Sequence, residues 1–258
     1  MRNTFRASKR ALGLAALACV VAARAFAGEL GGDVKQLVLS IAPDWDSSAG
    51  RLQCFERTGD AWKPATGAWP ALYGKSGLAW GRGVLGTSEP GLHKQEHDGR
   101  APAGVFRIGT IYTYDAALPE GAKYPFHTVG LGDAWVDDVK SPDYNRHVAV
   151  DPQNPPPWFE KQKMRHGDFA YRWLVEIRHN ADPPVPGNGS AIFFHIRRGV
   201  TRPTAGCTTM AESDLVNMIR FLRAEKKPHY ALLPRSEFEK KWKPWGLPSP
   251  QEAAALLP

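Results

Sequence analysis

The chain has 258 residues, 43% of them hydrophobic, with a formal charge of +7 and 3 cysteines. That length suits one large β-rich domain or two small ones, and so few cysteines exclude a disulfide framework. Residues 1–27 hold five basic residues and no acid, so the remainder carries only +2 and lacks the concentrated basic face that nucleic-acid binding needs.

The chain opens with Arg2, Arg6, Lys9 and Arg10, followed by an uncharged apolar run over 11–23 and the small residues of Ala25-Phe26-Ala27. This is the layout of a secretory signal peptide. It predicts export across the inner membrane to the periplasm or cell envelope, with a mature chain of 28–258. Cys19 offers a lipoprotein alternative, but Ala16 stands where the usual lipoprotein signal has Leu. The apolar run is too short to span a bilayer, which takes about 20 residues. No second apolar span follows, so the mature form is predicted to have no membrane span.

Beyond residue 28, short runs rich in Val, Ile, Phe and Tyr alternate with Gly/Pro clusters. They predict strands over 36–41, 51–57, 105–112, 171–177, 191–196 and 230–233. Two motif matches between them are set aside. Gly81-Arg82-Gly83-Val84-Leu85-Gly86 fits a dinucleotide fingerprint, but Pro90-Gly91 would stop the phosphate-binding helix at its first turn. A glycine-rich turn is the better reading. His93-Lys94-Gln95-Glu96-His97 fits a zinc-protease pattern, but Pro90-Gly91 and Asp98-Gly99 leave room for barely two helical turns. It reads as a solvated loop. The Asn188-Gly189-Ser190 glycosylation pattern is treated as chance.

The middle, 116–172, is loop-like and proline-rich, yet Tyr124, Phe126, Trp135, Tyr144, Trp158 and Phe159 argue against disorder. Ala191-Ile192-Phe193-Phe194 suits a strand buried on both faces. One stretch, 212–224, has helical period through Leu215, Met218, Ile219 and Leu222, with Ser213 and Asp214 as caps. The tail, 235–258, mixes charges with two Trp and four Pro and receives no role.

Chemistry concentrates between residues 189 and 210. A buried strand ends at His195, a basic loop follows, and the chain returns through Gly206-Cys207. Strand, loop and return can bring His195 beside Cys207. A nearby imidazolium and helix amides would lower the thiol's pKa from its ordinary value of about 8.5. Gly206 leaves room for a substrate carbonyl, and amides around Cys207 could hold an oxyanion. Taken alone, the bland alternative is a small buried Cys and a satisfied core His. A disulfide between Cys54 and Cys207 is a further alternative.

The surrounding residues resemble a known family. Gly189-Ser190-Ala191-Ile192-Phe193-Phe194-His195 and Thr204-Ala205-Gly206-Cys207-Thr208-Thr209-Met210 are similar to the active-site segment of the YkuD-like L,D-transpeptidases. Three other stretches resemble the extracytoplasmic branch of that family: 96–106, Trp135-Val136-Asp137-Asp138 with Ser141-Pro142-Asp143-Tyr144-Asn145, and Pro184-Val185-Pro186-Gly187. The resemblance covers about 38–233.

It implies a mainly β fold, a sandwich or barrel with a few flanking helices, one of them following the Cys. It implies Cys207 as nucleophile, His195 as general base and Gly206 beside the oxyanion. The implied substrates are peptidoglycan stem peptides and an amine acceptor, which can belong to a protein, with no cofactor or metal needed. Two positions depart from the pattern. Ala205 replaces a frequent His, which leaves His195 to be oriented by another group, such as a backbone carbonyl. Thr209 replaces a frequent Arg, which leaves Arg197, Arg198 or Arg202 to bind the substrate carboxylate. Asp137, Asp138, Tyr144 and His127 either line the cleft or tie the middle loop to the core. Alternatives on the same fold are an L,D-carboxypeptidase or amidase, and a non-catalytic wall-binding protein.

Overall fold

A computed structural model describes Met1 and residues 28–257, so the predicted export segment, Met1 apart, lies outside the described residues. The chain begins with β1 (Gln36–Ala42), β2 (Ala49–Thr58), β3 (Ala61–Pro64), β4 (Trp69–Leu72) and β5 (Leu78–Trp80). A long β6 (Ala101–Thr113) follows, then β7 (Phe126–Thr128), β8 (Asp133–Val136) and β9 (Arg146–Ala149). After a short helix α1 (Phe159–Gln162) come β10 (Trp173–Ile177), β11 (Phe193–Ile196) and β12 (Thr208–Met210). Helix α2 (Glu212–Phe221), β13 (His229–Pro234) and α3 (Arg235–Lys241) complete the order.

Eight strands close a barrel in the order β1-β13-β6-β10-β11-β12-β4-β2, with β2 returning to β1. The fold is mainly β with few helices, as the resemblance implied. Closure leaves no edge strand in this ring. Strands β1 and β13 are mostly apolar and are buried along their whole lengths. Leu37, Leu39, Phe106, Phe194, Tyr230 and Leu232 belong to one buried cluster. Burying each such side chain contributes about 1.5–3 kcal/mol.

A second, smaller cluster lies apart from it and consists of Tyr112, Val129, Trp135, Met164, Leu174 and Phe193. It joins the middle segment to β6, β10 and β11. The middle segment is therefore more ordered than its sequence reading, because β8 and β9 pair as a two-stranded sheet.

Several predicted details change. The predicted strand at 191–196 starts only at Phe193, because Ala191 has a left-handed φ of 55°. Helix α2 ends at Phe221, where Leu222 turns extended. Its N-cap is Ala211 with no side-chain cap, so Ser213 and Asp214 lie inside the first turn instead of capping it. At the glycine-rich stretch, a Cβ on Gly83 would sit 2.2 Å from the Val105 carbonyl. Its glycines thus allow close packing against β6, and no helix follows. The tail packs on the barrel: Trp245, Leu247, Ala253 and Leu256 join the main cluster, and the Trp62 indole donates to the Gly246 carbonyl at 2.8 Å.

Candidate active site

Strands β11 and β12 are parallel neighbours, with Phe194 opposite Thr208 and His195 opposite Thr209. Parallel strands cannot be joined by a tight turn, so residues 197–207 form a crossover that delivers Cys207 to the start of β12. Side chains alternate across a strand. Phe194 and Thr208 face the main core, where the Thr208 and Tyr230 hydroxyls lie 2.9 Å apart. Phe193, His195, Cys207 and Thr209 therefore share the opposite face. Cys207 packs on the small aromatic cluster and is half-buried.

Cys207 and His195 line one cleft of about 520 Å³, together with Gly206, Ala191, Lys94 and Arg202. Cys207 also lines a second recess of about 200 Å³, walled by Trp135, Met164, Tyr171 and Phe193. The turn before Cys207 is held by Thr204, whose hydroxyl donates to the Cys207 carbonyl at 2.7 Å and accepts from the Gly206 N–H at 3.0 Å. With the Gly206 amide so engaged, the backbone donor adjacent to the sulfur is that of Cys207 itself. A Cβ at 206 would lie 3.0 Å from the Arg100 carbonyl and 3.2 Å from Ile192, which is why glycine stands there.

His195 is oriented by its own strand. Its Nδ1 lies 2.9 Å from the Ile196 carbonyl. A carbonyl only accepts, so Nδ1 carries the hydrogen and Nε2 keeps a lone pair. Tyr171 meets the imidazole edge-on at 5.2 Å. The Ile196 carbonyl thus orients the ring without the His that Ala205 replaces, and leaves Nε2 free of that bond.

The electrostatics differ from the sequence expectation. Strand β12 follows Cys207 and α2 starts only at Glu212, so no helix amides face the sulfur. Burial pushes the thiol up to about 11, and the Phe193 N–H, Lys94 and Arg198 offset that only in part. Burial also holds His195 down at about 4 against the supporting Ile196 carbonyl. The pair rests as thiol and neutral imidazole, not as a thiolate–imidazolium pair. Cys54 is fully buried, and both cysteines are free.

The remaining predicted residues separate. Arg198 lines the cleft, but Asp168 engages its guanidinium, which stacks at 4.7 Å on Tyr171. Arg202 lines the cleft, is exposed, and makes no ion pair among the described residues. Arg197 is not among the lining residues, and its charge acts on Asp214 of α2. Asp137 lines both recesses next to Cys207, whereas Asp138 lines a neighbouring one with Trp158. Tyr144 lies behind the cleft wall, where its hydroxyl donates to Glu96. His127 stands apart with Asp133 and His147. Thr209 is buried with an unpartnered hydroxyl, so it cannot stand in for an exposed Arg.

Sequence reasoning missed three features. The stretch read as a solvated loop places Lys94, Glu96 and His97 on the cleft wall. Lys94 is only 4% exposed and pairs with Asp98 at 2.5 Å. Glu96 accepts from the Ser190 hydroxyl at 3.0 Å as well as from Tyr144. Asn145 is a buried hub below Ala191, whose carbonyl faces the Cys207 sulfur at 3.5 Å. Lys94 lies two residues before the family-like stretch, and its residue type alone did not mark this wall. Only the family-like stretch at 96–106 pointed to it.

Burial of histidines gives a pH dependence. His179 is held down at about 3 and His195 at about 4, from an ordinary 6.5, both by burial. The unfolded chain then binds more protons than the fold between those values, so stability rises with pH in that window. Stability is complete above about pH 6.5 and falls as pH drops toward 4, by about 1.4 kcal/mol per histidine per pH unit. Urea midpoints at pH 7.5 and 5 measure this, and equal midpoints would contradict it.

No match is found among curated proteins or solved structures. A family model for the YkuD L,D-transpeptidase catalytic domain matches residues 45–229, a span holding the barrel's β6, β10, β11 and β12 and the Cys207–His195 cleft, and the chain belongs to that family.

Proposed function

We propose that the protein is an exported peptidoglycan L,D-transpeptidase with Cys207 as nucleophile and His195 as base. The observation that carries this reading is the shared cleft of the two side chains, with Nδ1 of His195 committed to the Ile196 carbonyl. Nε2 is thereby the basic nitrogen.

The proton of the Cys207 thiol passes to Nε2 as sulfur attacks the carbonyl of the third, diacid residue of a tetrapeptide stem. The Cys207 amide stabilises the oxyanion. The intermediate collapses, the C–N bond breaks, and D-alanine leaves with the proton from Nε2. A thioester remains. An amine of a second stem attacks it, gives a proton to Nε2, and releases Cys207 as thiol with a 3→3 crosslink. Because the resting thiol is held near 11, deprotonation accompanies attack and does not precede it.

The two recesses that meet at Cys207 suit a donor and an acceptor strand approaching from different sides. That favours transfer over hydrolysis. Arg202 is the cation proposed to bind the substrate carboxylate, with Lys75 on the same cleft wall. The basic, apolar and small-residue layout of 1–27 supports export. No helix among the described residues is long and apolar enough to cross a membrane.

Product analysis tests the reading. The protein incubated with disaccharide-tetrapeptide should release D-alanine and form a crosslinked dimer, and Cys207→Ala should form neither. Tripeptide without dimer would make the enzyme a carboxypeptidase. No product from the wild-type protein would remove the assignment.

A further inference from the structure

Away from the cysteine cleft, three side chains from separate stretches point at one spot. His127 is the middle residue of β7, Asp133 opens β8, and His147 lies on β9 opposite Trp135. Nε2 of His127 is 2.9 Å from Oδ1 of Asp133, and Nε2 of His147 is 2.5 Å from the same oxygen. All three ligand atoms lie within 4.8 Å of one another. We propose that His127, Asp133 and His147 form a site for one zinc-class divalent cation.

The donor set fits that class. Two imidazole nitrogens and one carboxylate oxygen, without sulfur, suit zinc and its late first-row neighbours. Bonds of about 2.1 Å in tetrahedral geometry place ligand atoms about 3.4 Å apart. The two nitrogen–oxygen separations of 2.9 and 2.5 Å open to that by under about 1 Å, and the two imidazole nitrogens, no more than 4.8 Å apart, close to it by at most about 1.4 Å, shifts that side-chain rotation supplies. The second shell is already set. The Gly130 N–H donates to Oδ2 of Asp133 at 2.5 Å, which turns Oδ1 toward the imidazoles. Tyr112 packs on both rings, at 5.8 Å from His127 and 5.1 Å from His147. Side-chain exposures of 41% for His127 and 23% for His147 leave an entry path and a fourth position for water. Held without a cation, the same atoms require both imidazoles to carry their hydrogen on Nε2 and to share one oxygen.

The location gives the cation a role. It would tie β8 and β9 to β7, and so to β6, across Tyr112. Tyr112 packs on Trp135 at 5.8 Å, and Trp135 on Phe193 at 4.8 Å. Trp135 and Phe193 wall the recess next to Cys207. The cation therefore braces the middle segment behind that wall and takes no part in bond making.

The test uses the purified protein freed of metal with a chelator, then titrated with zinc sulfate by calorimetry and melted with and without zinc. One zinc per chain is expected, with a melting point raised by about 5 °C or more at a hundredfold excess over Kd. His127→Gln and His147→Gln should each weaken binding by more than about a hundredfold, since even second-shell losses cost 10–100-fold. Cys207→Ala should bind as the wild type does. Cobalt(II) bound to the wild-type protein should show d–d bands without a thiolate charge-transfer band, a readout independent of whether the variants fold. Absence of saturable binding, wild-type binding by either Gln variant, or loss of binding in Cys207→Ala would each overturn the proposal.

Discussion

Replacing His195 by asparagine is expected to slow donor acylation about 10³- to 10⁴-fold at pH 7. Asparagine keeps a donor near the Ile196 carbonyl but removes the basic Nε2. A general base contributes about 10²–10⁴-fold. A thiol held near 11 is ionised in only about one molecule in 10⁴ at pH 7, so little thiolate exists to replace the lost base. The pH profile separates this role from a merely structural one. In the wild type, His195 titrates near 4, so its rate should be flat from about pH 5 upward. In the variant, only preformed thiolate reacts, and the rate should climb about tenfold per pH unit. Single-turnover release of D-alanine between pH 6 and 9 measures both. A loss under tenfold, or a flat variant profile, would contradict the role.

Asn145→Leu should destabilise the fold by at least about 4 kcal/mol. Asn145 is 6% exposed and meets four backbone or side-chain partners. Its amide donates to the His179 and Asn180 carbonyls at 2.9 and 2.8 Å. Its carbonyl oxygen accepts from the Trp135 indole at 3.1 Å and the Ala191 N–H at 3.0 Å. Leucine leaves all four unpaired, and each orphan costs about 1–3 kcal/mol. A φ of 55° adds strain that asparagine tolerates better than leucine. Ala191 and Trp135 both border Cys207, so turnover should fall as well. Urea denaturation reads the stability, and a loss below about 1 kcal/mol would contradict the hub.

That hub shows where the sequence stops being legible. The strands β1, β6 and β13 could be read because their apolar residues run or alternate over several positions. The helix α2 could be read because Leu215, Met218 and Ile219 keep a helical period. Strands β4, β5 and β12, of three or four residues, are too short to carry a period and exist through pairing with distant strands. Asn145 and Lys94 are polar residues whose burial is decided by partners far along the chain or across a turn. Composition marks such residues as solvated. The grouping of His195 with Cys207 was readable from the words around them, whereas the pull on their protons was not. A spacing in sequence shows neither that burial dominates the thiol nor that β12 displaces the expected helix end. The tail was opaque for a similar reason, since Trp245 and Leu256 gain meaning only once the barrel offers them a surface.

Acid-quenched intact-mass spectrometry of the protein with a tetrapeptide donor tests the nucleophile most directly. The account predicts a mass increase equal to the donor less D-alanine, mapped by digestion to the peptide holding Cys207, and absent in Cys207→Ala. An adduct that persists in that variant, or D-alanine release by it at the wild-type rate, would contradict it.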